Sequence, residues 1–244
     1  MAGVLALVYG GVCYLVAFLT LVYAIAFVGD LPIVPKTINS GEAGPLVPSL
    51  VVDAVLLGLF AVQHSVMARP GFKAWWSRFV PPPIERSTYI LAASALLILT
   101  YWQWRPVPQL VWSLDGVAAL ILVIGFWLGW VIVFFSSFLI SHFELFGLSQ
   151  VWNRFRGLPP PGAQPLRTPL LYGFVRHPIY LGMLLAFWCT PTMTIGHLFF
   201  AVGATGYIFI GIHFEERDLV GHFGEAYVAY RRRVSMILPL PPRG

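Results

Sequence analysis

The chain has 244 residues, of which 58% are hydrophobic and only 10% charged, with a formal net charge of +5. Soluble domains carry roughly a quarter charged residues, so this composition excludes a free-standing soluble protein. The 16% aromatic content excludes a disordered one. What remains is an integral membrane protein, and the question becomes what its few charges are for.

The first apolar run, Val4 to Val28, is about as long as a full membrane span, and no Lys or Arg precedes it. A signal peptide has a basic start and a shorter core, so this run predicts the first transmembrane helix. Apolar stretches at about 49–68, 87–104 and 112–140 predict three more. The last of these must tilt or project beyond the bilayer. Stretches at about 170–190 and 193–213, parted by Thr190-Pro191-Thr192, predict a tight helical hairpin. The expected fold is all-α: a polytopic helical membrane protein with five to six transmembrane helices. It forms one domain over 1–244, with N-terminal helices over 1–145 and the hairpin and tail over 170–239. Pro81-Pro82-Pro83 and Pro159-Pro160-Pro161 are stiff breaks between elements. Cys13 and Cys189 lie in apolar runs outside any C-x-x-C pair and read as buried packing thiols. Gly125-x-x-x-Gly129 reads as close helix packing.

Basic residues set the orientation. Arg69, Lys73, Arg78 and Arg86 lie between helices two and three, and Arg154, Arg156, Arg167 and Arg176 between helix four and the hairpin. Arg217, Arg231, Arg232, Arg233 and Arg243 follow the hairpin, while Lys36 and Arg105 fall on the opposite face. The positive-inside rule makes the first face cytoplasmic. The Arg231-Arg232-Arg233 tail also suits plain contact with anionic headgroups. Five histidines (His64, His142, His177, His213, His222) and six acidic residues (Glu85, Glu144, Glu215, Glu216, Asp218, Glu225) share this face. His197 alone falls at the outer turn, where it reads as a surface residue. Ionisable groups beside a bilayer are costly, so their convergence at one level predicts a site open to the cytoplasm.

Four clusters stand out. Gln63-His64-Ser65 with Arg69 ends helix two, and reads equally as helix capping. Glu85-Arg86-Ser87 opens helix three, where a helix N-terminus by itself favours Glu85. Ser137, Ser141 and Glu144 follow i, i+4, i+7 spacing on one helical face, beside His142. The fourth cluster begins with Arg176-His177-Pro178. Pro178 fits the first turn of a helix, which puts Arg176 and His177 beside free backbone donors that favour anions. Its partner is His213-Phe214-Glu215-Glu216 on the second hairpin arm. Acidic and basic groups facing each other suit a zwitterionic ligand, or a sulfonium beside carboxylates. No G-x-G-x-x-G, Walker or H-E-x-x-H pattern is present, and no spacing is diagnostic of a metal site.

Arg176-His177-Pro178-x-Tyr180-x-Gly182, then Glu215-Glu216-x-x-Leu219, then Phe223-Gly224-x-x-Tyr227-x-x-Tyr230, resembles the C-terminal half of the isoprenylcysteine carboxyl methyltransferase superfamily. Gln63 to Arg69, Glu85 to Tyr89 and Ser141 to Gly147 resemble its methanethiol S-methyltransferase branch, and the first two are partly shared with nitrite-reduction-associated membrane proteins. The resemblance implies methyl transfer from S-adenosylmethionine to methanethiol, giving dimethyl sulfide, with hydrogen sulfide as a possible further acceptor. It implies that Tyr172, Arg176, His177, Tyr180, Leu181, His213, Glu215 and Glu216 line the cofactor site, and that Tyr227, Tyr230 and Arg231 close it. Sulfur must attack as thiolate, so His64, His142 and Glu144 are candidate bases, and Arg69 and Arg86 candidates for electrostatic assistance. The implied partners are a small volatile thiol and the bilayer of a bacterial inner membrane, with no nucleic acid; the oligomeric state is open. Competing readings are a methyltransferase acting on a prenylcysteine carboxylate or a lipid, an NADPH-dependent membrane reductase, and a non-enzymatic nitrogen-oxide-metabolism protein or transporter. A transporter should place ionisable residues near mid-membrane.

Overall fold

The computed structural model describes residues 1–162 and 165–239; Arg243 of the basic tail lies outside them. The helices are α1 (Ala2–Val28), α2 (Leu46–Ala68), α3 (Pro70–Trp76), α4 (Pro82–Gln103), α5 (Gly116–Leu139), α6 (His142–Leu145), α7 (Leu148–Arg156), α8 (Pro178–Trp188), α9 (Ile195–Phe223) and α10 (Glu225–Arg233). Two short strands, β1 (Leu110–Ser113) and β2 (Thr192–Thr194), and a 3-10 turn at Leu170–Gly173 complete the described elements. By length and composition four helices can cross a bilayer: α1, α2, α5 and α9. The helix α4 is 22 residues long, about 33 Å, and opens on the charged pair Glu85-Arg86. The all-α polytopic expectation therefore holds.

The chain divides into two compact units, residues 1–109 with 141–163 and residues 110–140 with 164–244. In the first unit α1 packs on α4 and α7, and α2 on α4. The pattern inverts that of a soluble protein. The buried stripe of α1 is small or weakly polar, with Gly10, Cys13, Ala17, Thr20 and Ala24. Large apolar residues such as Leu5, Val8, Val12, Leu15 and Leu19 face outward. Lipid solvates the large side chains, so helices gain most by bringing small ones together. Two buried hydroxyls are satisfied on their own helix: Thr20 donates to the Val16 carbonyl at 2.7 Å and Thr100 to the Leu96 carbonyl at 2.8 Å.

The two ends of this unit differ. At one, Lys36 donates to the Trp102 carbonyl at 2.7 Å, and the Arg105 amide donates to Asp53 at 2.9 Å. Asp53 is the eighth residue of α2 and is fully buried, a carboxylate within a span rather than at its end. Its carboxylate ties the chain leaving α4 to α2. At the other end, Tyr9 of α1 meets Thr88 of α4 at 3.0 Å. Gly147 lets α6 and α7 approach there. Its φ is +85°, and an added Cβ would stand 2.7 Å from Ser87 Oγ. His142 is buried, and its Nε2 lies 3.0 Å from the Tyr14 hydroxyl.

In the second unit β1 and β2 pair antiparallel, with Leu110 opposite Thr194 and Ser113 opposite Thr192. The predicted hairpin is present, but its first arm is shorter than the apolar run 170–190. The helix starts only at Pro178 and runs 11 residues, about 16 Å, too short to cross a bilayer alone. The preceding residues form the 3-10 turn and a parallel bridge between Val175 and Ser235 instead. His197 is not a surface residue. It is 1% exposed, and its Nε2 lies 2.9 Å from the Phe187 carbonyl near the end of α8. Capping of α9 by Thr194, whose side chain accepts from the His197 amide at 3.1 Å, accompanies this inward turn.

The closest packing is between α5 and α8. A Cβ on Gly129 would stand 2.6 Å from the Gly182 carbonyl oxygen, and one on Gly182 would stand 2.5 Å from the Gly129 carbonyl oxygen. Gly125 likewise lies against Cys189, so the Gly-x-x-x-Gly stretch is a packing face. Gly129→Val or Gly182→Val must push backbone from backbone. Each is expected to cost about 1–3 kcal/mol and to lower the melting temperature in detergent, whereas Gly58→Ala, with open space around it, is expected to be neutral. Equal melting of all three variants would contradict this packing. A second expectation concerns pH. Burial lowers the His142 pKa, so the fold favours its neutral form. The unfolded chain takes up the proton near pH 6.5, so this contribution is present above that pH and is lost as pH falls toward the depressed native value. The melting gap between wild type and His142→Gln should therefore narrow from about pH 7.5 to about pH 5; a gap independent of pH counts against it.

Candidate functional site

In the second unit the strongest sequence cluster assembles from three segments. The Arg176 amide donates to the Ser235 carbonyl at 2.8 Å and the His177 amide to the Met236 carbonyl at 3.1 Å. Pro178 then starts α8 at a position that needs no N–H donor. This sets Arg176 and His177 just outside a helix start, as their sequence predicts. Helix α9 carries Glu215 and Glu216 near its end, and α10 carries Tyr227, Tyr230 and Arg231.

Glu216 is the point of convergence. Its Oε1 accepts from Arg176 Nε at 2.7 Å and from His177 Nε2 at 3.2 Å, while its Oε2 lies 3.2 Å from Arg231 Nε. The Glu216 and Arg176 side chains are only 9% and 10% exposed. Burying a charge is costly unless it is paired and hydrogen-bonded, and here both conditions are met. Arg176 also donates through Nη1 to the carbonyls of Arg231 and Val234. It is therefore a strut joining α9, α10 and the tail. Two groups at the same place stay open: Glu215, which reaches His177 Nδ1 at 3.8 Å, and Arg231, each with a 45% exposed side chain.

Tyrosines close the inner side. The Tyr230 hydroxyl donates to the Tyr172 carbonyl at 2.6 Å, and the Tyr172 hydroxyl donates to the Ser136 carbonyl at 3.5 Å. Burial pushes the Tyr230 hydroxyl up to about 12, with Arg176 partly opposing. Burial, then the charge of Glu215, raises Tyr172, and burial, then that of Glu216, raises Tyr227. All three remain protonated donors at neutral pH. The Tyr180 ring centroid lies 5.6 Å from that of His177. Tyr180 and Leu181 pack on the apolar group Ile208, Ile212 and Ile237. Leu181, Pro178, Val175 and Phe174 border an apolar recess of about 270 Å³. His213 stands one turn before Glu216, exposed, with its ring against Phe214.

The first unit holds the N-terminal motifs. His64 and Tyr89 meet: both imidazole nitrogens lie 3.0 Å from the Tyr89 hydroxyl. The Arg86 guanidinium stands over the Tyr89 ring, 5.3 Å from its centroid, and its Nε donates to the Leu145 carbonyl at 2.9 Å. Arg69 Nε donates to the Ser65 carbonyl at 3.3 Å, the helix-end capping that was the plain alternative for this residue. The half-buried Glu144 sits in α6, and its carbonyl accepts from Gln150. Ser137, Ser141 and Glu144 do not share a helical face. The helix α5 ends at Leu139, and Ser141 has φ +96°, which resets the direction of the chain.

Three residues here escape sequence reasoning. Tyr89 lies inside a quoted motif, but its pairing with His64 across 25 residues leaves no periodic trace. Tyr14 is hidden in an apolar run. Asp53 does carry a signal, being the lone acid in the span 46–68.

Comparison with known proteins places these motifs in a family. The chain is 54% identical over 240 residues to a methanethiol S-methyltransferase of Mycobacterium tuberculosis, covering 98% of each chain. It is 53% identical over 238 residues to methanethiol S-methyltransferase 1 of Bradyrhizobium diazoefficiens, covering 96% of this chain and 82% of that one. It is also 32% identical over 183 residues to nurim of Mus musculus, covering 71% and 69%. No family model matches the chain, and no solved structure matches it. With this degree of identity over nearly its whole length, the chain belongs to the methanethiol S-methyltransferase family.

Proposed function

We propose that this protein is an integral membrane enzyme that methylates methanethiol to dimethyl sulfide, using S-adenosylmethionine as donor. The observation that carries the reading is the Glu216 cluster, set on the residues whose pattern marks the family. What supports S-adenosylmethionine as the donor is the charge pairing there. A half-exposed carboxylate, Glu215, and a half-exposed guanidinium, Arg231, stand beside one buried, fully paired core. A ligand with both an ammonium and a carboxylate matches that pair, and tyrosine donors border it. Arg176 and Glu216 are mutually satisfied, so their role is to hold His177, Arg231 and α10 in place, while Tyr172, Tyr180, Leu181, His213 and Glu215 line the ligand space. Tyr227 and Tyr230 close it from the tail.

When bound, S-adenosylmethionine supplies an activated methyl group to sulfur. The chain's own residues must deliver the acceptor as thiolate. An unperturbed thiol has a pKa of about 8.5, so a base helps at neutral pH. His64 is the best supported base among His64, His142 and Glu144. His142 is buried against Tyr14, whereas His64 is only partly buried and its ring is held by the Tyr89 hydroxyl. The thiol proton passes to His64, Tyr89 orients the ring, and Arg86 supplies positive charge beside it. Glu144 and Arg69 belong to the same unit as His64. The acceptor offers little surface, so selectivity comes from a cramped apolar enclosure. The site faces the cytoplasm of a bacterial inner membrane, on the positive-inside distribution of basic residues. The reductase, lipid-methylating and non-enzymatic readings have no specific observation in their favour.

The test is headspace detection. Purified protein with S-adenosylmethionine and methanethiol should release dimethyl sulfide. His64→Ala should cut turnover at least about tenfold while leaving donor affinity within about twofold. No product from wild type that still binds the donor would overturn the substrate, and wild-type turnover in His64→Ala would overturn the base.

A further inference from the structure

Two short segments of the first unit take no part in the chemistry above, and they share a composition. The first is α3 with its following turn. Phe72, Trp75, Trp76 and Phe79 form a continuous aromatic shelf, with successive ring centroids 5.4–5.9 Å apart. Trp75 is 48% and Phe79 66% exposed. Lys73 and Arg78 stand among these rings, and residues 69–81 contain no Asp or Glu. The second segment is α7, with Trp152 and Phe155 exposed and their rings 5.8 Å apart. Arg154 and Arg156 flank them, Arg156 lies 5.9 Å over the Trp152 ring, and residues 148–158 again hold no acid.

Both segments sit at one level. Val151 of α7 packs against Gly10 of α1, and the Phe155 backbone against Gly3. The start of α4 joins the same end through the Tyr9–Thr88 contact and the Gly147–Ser87 approach. The shelf lies between the end of α2 and the start of α4, so it falls at that end too. Apolar helices α1 and α2 descend from this level. Exposed Trp and Phe at the end of spanning helices match the boundary between hydrocarbon and headgroups. The cations stand beside the rings that would sink into that boundary, at headgroup depth. A surface that is aromatic, cationic and free of acids fits one partner by charge: acidic phospholipid.

We propose that α3 with its turn and α7 form a two-part collar that binds the headgroups of anionic phospholipids at the membrane surface. The basic groups pair with lipid phosphates, and the aromatic shelf holds the helices at that depth. The collar is separate from the Arg231-Arg232-Arg233 tail and from every residue assigned to the reaction.

The test uses full-length protein in vesicles. Tryptophan fluorescence is read with brominated phosphatidylglycerol or brominated phosphatidylcholine at equal mole fraction. The acidic lipid should quench more strongly, with an association preference of about threefold or more that weakens in high salt. The variant Lys73→Gln/Arg78→Gln/Arg154→Gln/Arg156→Gln should bring the preference close to parity while keeping donor binding. In Trp75→Phe/Trp76→Phe/Trp152→Phe the anchors stay aromatic but the local reporters are gone, so the acid-selective part of the quenching should disappear. Equal quenching by the two lipids in wild type overturns the proposal. So does a preference that survives the four Gln substitutions, which would move acidic-lipid binding to the tail.

Discussion

One buried carboxylate holds the C-terminal unit in its working arrangement. Glu216, near the end of α9, draws in Arg176 and His177 from the start of α8 and Arg231 from the end of α10. No apolar contact could set these segments in register so narrowly, because the directions of hydrogen bonds fix both oxygens. Such a buried network is unforgiving. Removing one partner leaves the others charged and unpaired, a loss of about 3–5 kcal/mol in comparable cases. The backbone repeats the constraint, since residues 175–177 pair with 235–236 and so fasten the tail against the start of α8. The tyrosines are then aligned as neutral donors, and burial keeps them so.

The surrounding architecture explains why so much charge can be gathered in so few places. Helices that meet through Gly, Ala, Ser and Cys come close enough for backbone contact, as at Gly129 and Gly182, and leave their large apolar residues to lipid. Several hydroxyls inside the helices bond carbonyls one turn back on the same helix. Asp53 takes its partner from the segment after α4 and fastens one end of the first unit. Most other charged residues among those described fall near helix ends or in the segments between helices.

Much of this was readable from residue order. Long apolar runs, proline breaks and the Arg176-His177-Pro178 helix start are local features, and each element they predict is present. The pairing of acids on α9 with bases before α8 also followed, because a hairpin must return its second arm to the level of the first. What could not be read depends on single backbone angles or distant partners. The apolar run 170–190 gave no sign that residues 175–177 would pair with the tail. A positive φ at Ser141 separated Ser137 from Glu144 despite their helical spacing. His197 looked like a turn residue because its burial depends on the Phe187 carbonyl near the end of another helix. Tyr89 and His64 meet only through the packing of α2 on α4.

The central claim is that the network around Glu216 builds the donor site. Its most direct test is calorimetric titration of S-adenosylmethionine into wild type and Glu216→Gln, with helix content checked by circular dichroism. The substitution keeps size and removes the charge that holds three bases. The account predicts that the folded variant binds at least about tenfold more weakly, roughly 1.4 kcal/mol. Unchanged affinity in a folded Glu216→Gln protein would contradict it.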